Sequence, residues 1–161
     1  RMWGDVTVPI GALTTIEAGV VIKAPTDSNS ASANQFRVLG RLKSLGTTGN
    51  PVVFTSLQDD EYGGDTNGDG DQTLPMTGDW GGITLEGDGG ELTGVLVRYA
   101  GERDISPENY YAAVLVTGKD CKVTDSTFEH LPLGIWTNSC ATGAVFSNLS
   151  FFDVSVEQSG G

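Results

Sequence analysis

Residues 63–72 read GGDTNGDGDQ. Within them, Asp65-Thr66-Asn67-Gly68-Asp69-Gly70-Asp71 places side-chain oxygens at positions 1, 3 and 5 and a glycine at 6. That is the first half of a calcium loop. Alternate residues of a tight turn point at one centre, and the glycine permits the sharp bend. Asp71, at position 7, offers a carbonyl or a carboxylate. Position 12 is Met76, so the closing bidentate Glu of an EF-hand is missing. The remaining oxygens must come from nearby, with Asp59, Asp60, Glu61 and Asp79 within reach in sequence. The expected ligand set is Asp60, Asp65, Asn67, Asp69, Asp71 and Asp79, holding Ca²⁺. Residues 59–79 contain seven acids and no Lys or Arg, so without a cation their repulsion holds the segment open. A solvated acidic loop, or Mg²⁺ or Mn²⁺ in the same place, are the alternatives.

Other residues carry weaker chemistry. His130, the single histidine, sits in FEHLP, and no GxSxG nucleophile motif accompanies it; it reads as a surface turn. A glycosidase needs two carboxylates across a cleft, and Asp125 with Glu129 or Asp104 with Glu108 are available without a motif to mark them. A calcium-dependent lyase needs a basic residue beside the metal, for which Arg98 and Lys119 are candidates. No catalytic residue is assigned. Trp3, Trp80, Trp136, Tyr110 and Tyr111 suit a sugar platform or, more ordinarily, the corners and ends of a core. Cys121 and Cys140 read as one disulfide or two free thiols, with no zinc spacing around them.

Composition sets the frame. The chain has 161 residues, 38% of them hydrophobic, 23 glycines and a net charge of −12. That length buries a real core. The charge, with nine scattered basic residues, argues against nucleic acid and against an anionic membrane surface. No apolar run approaches the roughly 18–20 residues of a membrane span, and no signal peptide is recognisable. The opening RMWGDVTV and the closing EQSGG read as the ends of a piece cut from a longer secreted protein.

Short apolar runs separated by Gly, Asn, Asp and Thr predict an all-β chain. Two self-matches suggest a repeat. LTTIEAGVVIKAP overlies FRVLGRLKSLG at a spacing of 22, setting Ile16 on Val38 and Val20-Val21-Ile22 on Leu42-Lys43-Ser44. Ser126-Thr127-Phe128 falls on Leu149-Ser150-Phe151 at a spacing of 23. Strands this short cannot bury an apolar face alone. If the chain coils, each lies about 4.8 Å above its equivalent, and inward side chains stack into one core. An antiparallel immunoglobulin-type sandwich, the competing fold, leaves the spacing of 22 unexplained.

The order of a turn-rich coil, GNPVVFTS, an acidic insert and GDWGGI, followed by LTGVLVRYAG, resembles the right-handed parallel β-helix domains of large secreted bacterial surface proteins. The likeness is close over about residues 6–100; residues 113–157 match only as generic coils. It implies an all-β right-handed parallel β-helix (solenoid) with a calcium-loop insertion, at the bacterial cell surface or otherwise extracellular. The expected chain is one domain over 1–161 with roughly five or six coils and inserts at 58–79 and 101–112.

The expected core is Val20, Ile22, Val38, Leu42, Val52, Phe54, Ile83, Leu85, Val95, Val97, Val114, Val116 and Phe128. Val21, Lys23, Val53 and Thr55 should face outward. The expected function is a structural or adhesive module ordered by calcium, binding a polysaccharide or protein polymer and flanked by other domains of its parent chain. A carbohydrate-binding or polysaccharide-degrading β-helix, lyase- or glycosidase-like, is the alternative.

Overall fold

The computed structural model describes residues 4–26, 34–101 and 112–160, with side chains of the last strand up to residue 155. Among them are twelve strands and no helix. β1 (Val6–Val8), β2 (Leu13–Ile16) and β3 (Val21–Ala24) make a first pass, and β4 (Phe36–Val38), β5 (Arg41–Ser44) and β6 (Val52–Ser56) a second. A third is made by β7 (Ile83–Leu85), β8 (Glu91–Thr93) and β9 (Val95–Arg98). β10 (Val114–Val116) leads into the long strands β11 (Lys122–Thr137) and β12 (Val145–Gly160).

All strands belong to one curled sheet whose ladders are parallel throughout. Three ladders recur in the same order. β1, β4, β7, β10 and the end of β11 form the first. β2, β5, β8 and the start of β11 form the second. β3, β6, β9 and the middle of β11 form the third. β12 then runs beside β11 for its whole length.

The C-terminal self-match is the observed register: Ser126 pairs with Leu149, Thr127 with Ser150 and Phe128 with Phe151. The N-terminal one is not. Ile16 lies opposite Ser44 rather than Val38, Leu42 lies opposite Thr14, and Val21-Ile22 lie opposite Val53-Phe54. The first pass is longer than a spacing of 22 allows, so a chance likeness of two apolar runs outscored the true pairing.

Side chains from all three ladders meet in one buried cluster. Eleven of the thirteen expected core residues are buried there; Ile22 is half-buried against the cluster, and Val20 is 39% exposed. Val20 precedes β3 at a turn, where its amide bonds to Glu17 O, so strand alternation does not reach it. Trp80, Leu92, Val123, Leu131 and Ile135 are among the further residues of the core. Phe36 meets Phe54 edge-on with ring centroids 5.7 Å apart, a favoured aromatic geometry.

Close stacking fixes particular residues at the bends. A Cβ on Gly87 would fall 1.9 Å from Gly40 O, and one on Gly118 would fall 2.2 Å from Gly87 O. The bends inside β11 fall at Asp125 and His130, and those inside β12 at Asn148 and Asp153, all with φ between 52° and 55°. Asp, Asn and His are the non-glycine types best suited to that region. The bends also bond to each other: Asn148 Nδ2 donates to Asp125 Oδ1 at 2.9 Å, and His130 Nδ1 lies 2.9 Å from Asp153 Oδ2.

Candidate metal centre

The acidic insert leaves the sheet after β6 and returns before β7, and Asp79 closes its root. Asp79 is buried; its Oδ2 accepts from Ser56 Oγ at 2.8 Å and from Met76 N at 2.9 Å, and its own amide donates to Tyr99 O. The insert then folds back over the outer face of the third ladder. A Cβ on Gly63 would lie 3.5 Å from the side chains of both Val21 and Lys23. Lys23 Nζ donates to Gly64 O. This cover corrects the expectation for outward positions. Lys23, Val53 and Thr55 are all buried, and all five residues of β6 are.

Arg98, on β9, pins the first turn of the insert. Its side chain is 5% exposed, with Nη1 3.0 Å from Asp59 Oδ2 and Nη2 2.8 Å from Glu61 Oε2. Its Nε lies 3.0 Å from Glu129 Oε2, near enough for ion pairing but misaligned for a hydrogen bond. The guanidinium also packs over the rings of Tyr62 and Tyr99, at 4.9 and 5.1 Å. Burial works against its charge, but Asp59 and Glu61 outweigh burial and raise its pKa. A guanidinium held so firmly protonated is unsuited to serve as a general base.

Beyond this anchor the carboxylates of Asp60, Asp65 and Asp69 gather, each offering an oxygen within 4.8 Å of the others. Two oxygens on one Ca²⁺ can be no further apart than about 4.6–5.2 Å, twice the usual Ca–O distance. Asp65 organises the turn, its Oδ1 accepting from Gly68 N at 2.7 Å and Asp69 N at 3.3 Å, and its Oδ2 from Gly70 N at 2.9 Å. Those amides, Gly70 and Gly68 foremost, lower its pKa.

Thr73 orients the next two residues. Asn67 Nδ2 donates to Thr73 Oγ1 at 3.1 Å, and that hydroxyl donates to Asp69 Oδ2. Asn67 Oδ1, Asp69 Oδ1 and Asp60 Oδ1 are left buried without a hydrogen-bond partner among the described residues. Three such oxygens in one loop are costly unless something electropositive faces them. Burial first, then the Asp65 charge, pushes the Asp60 carboxyl above its ordinary 3.8, with Lys23 opposing. The donor set is all hard oxygen, the kind Ca²⁺ takes.

Of the expected ligands, Asp60, Asp65 and Asp69 come together, and Asn67 stands among them in the chain with its oxygen unpartnered. Asp71 is exposed and outside the group of three; Asp79 is spent on the root. Lys23, Thr73, Tyr62 and Arg98 as an anchor were not expected. Two of these, the cations Lys23 and Arg98, reach the insert from other strands, and a local count of acids cannot register them.

The weaker candidates also find places. Trp80 is a core residue, its Nε1 donating to Arg98 O at 2.9 Å, and Trp136 is half-buried on β11. His130 stacks on Tyr99 at 5.0 Å. Cys121 is buried and Cys140 exposed, and both are free thiols. Lys119 is exposed, its amide bonded to Asp88. Trp3, Asp104, Glu108, Tyr110, Tyr111 and nearly all of the insert at 101–112 lie outside the described residues. No helix among the described residues is long and apolar enough to cross a membrane. Comparison with protein-family models, curated proteins and solved structures finds no match.

Proposed function

We propose that the chain is a right-handed parallel β-helix module of an extracellular bacterial surface protein, structural or adhesive in role, whose acidic insert is ordered by calcium. The observation that carries the cation is the trio of buried oxygens on Asp60, Asn67 and Asp69 with no partner, beside a carboxylate cluster of calcium-compatible size. The repeated parallel pairing in three ladders supports the coil. The lyase-like alternative requires Arg98 or Lys119 as base, and Arg98 is enclosed by Asp59, Glu61 and Glu129. Lys119 sits on the turn after β10 with its amide bonded to Asp88, and the structural reading is preferred to a lyase on these grounds.

Thermal melting with calcium and with chelator tests the proposal. A ligand at 100 times its Kd stabilises by about 2.7 kcal/mol, roughly 5–10 °C in Tm for a chain of this size. Equal melting temperatures in the two conditions would remove the cation from the account.

A further inference from the structure

A second site lies on the outer face of the third ladder, beside the insert. It is a groove of about 190 Å³. Thr47, on the turn before β6, and Tyr62, on the insert, contribute to its walls; Leu96 and Thr127, paired across β9 and β11, line it between them. Asp125 and Glu129 supply carboxylates to the same groove. Ordinary small-molecule sites span about 300–1,000 Å³, so this one suits a single ring or side chain.

Among the described residues its lining is acceptor-rich: two carboxylates, hydroxyls that accept as well as donate, and one aromatic ring. No lysine or arginine among the described residues lines it. Arg98, which reaches Glu129 at the edge of the groove, is already shared among Asp59, Glu61 and Glu129. An anionic ligand would meet uncompensated repulsion. A neutral sugar ring instead presents several hydroxyl donors and an apolar face, which match the carboxylates and the tyrosine.

The geometry points to this groove as a subsite for one neutral pyranose unit of an extracellular glycan, its hydroxyls held by Asp125, Thr127 and Glu129. This deepens the adhesive reading of the module and does not depend on the cation.

The test is saturation-transfer NMR and titration of the whole chain with neutral gluco-, manno-, galacto- and xylo-oligosaccharides, in calcium and in chelator. A lysine-rich peptide serves as comparison. At least one sugar series should bind, with affinity reduced tenfold or more by Thr127→Phe, which fills the groove. Asp125→Asn, which keeps its shape and can still accept from Asn148, should weaken binding several-fold at unchanged Tm. No binding by any of the sugars, binding unaltered in both variants, or salt-sensitive binding of the peptide alone would overturn the assignment. Sugar binding that persists while calcium leaves Tm unmoved would count against the cation and not against the groove.

Discussion

At the residue scale, the insert combines one carboxylate satisfied by backbone with others that are not. Asp65 is held by the amides of Gly68, Asp69 and Gly70, which makes it the organiser of the turn. Asp60 and Asp69 each keep a buried oxygen without a partner, so they are the residues a cation would relieve. Replacing either by Asn should abolish the calcium-induced rise in Tm while leaving the chelated protein as stable or slightly more so, since like-charge repulsion falls; melting curves of the two variants check this. Asp65 behaves differently with pH. Its folded pKa is depressed, so its contribution is fully present above the ordinary 3.8 and is lost as pH falls through the folded value. In chelated protein, amide exchange at Gly68 and Gly70, corrected for its intrinsic pH dependence, should lose protection only in that acid range.

At the scale of elements, the insert is a covering layer for β3, β6 and β9, and Arg98 is the tie. Arg98→Met leaves Asp59, 2% exposed, without its charge partner. Breaking such a pair from one side costs about 3–5 kcal/mol, measurable by urea denaturation. Gly87→Ala drives a Cβ into Gly40 O and should cost at least the roughly 1–3 kcal/mol of an overpacked site. The sequence showed part of this. Phe128 over Phe151 was legible because nothing interrupts the chain between those equivalent strands, and their rings stack at 5.2 Å. Ile16 over Ser44 was not, because an apolar residue facing a serine leaves no likeness to align. That Asp65 and Asp69 gather in one loop was legible from spacing, since a tight turn is local. The burial of Thr55 and Lys23 was not, because period-two alternation describes a bare strand and is silent about an insert folding back on it.

At the scale of the molecule, each pass is covered by the next, and β12 pairs only with β11 among the described residues. Phe128 and Leu131 on β11 are buried, whereas their register partners Phe151 and Val154 on β12 are half-buried and Phe152 is 58% exposed. Stability in stacked repeats depends on neighbours, so amide exchange should be fastest along β12 and along β1 and β2, which also pair on one side only among the described residues, and slowest in β6, β7 and β9. A uniform exchange rate across the passes would contradict that gradient. On the proposed reading, the parallel scaffold and the ion belong together: a sheet face with an arginine anchor presents a loop whose unpartnered oxygens would close on calcium. Isothermal titration of chelator-stripped protein with calcium chloride tests it most directly. The expected result is one saturable site per chain, absent in Asp69→Asn. The absence of a saturable site in the unaltered chain, or an undiminished site in the variant, would contradict it.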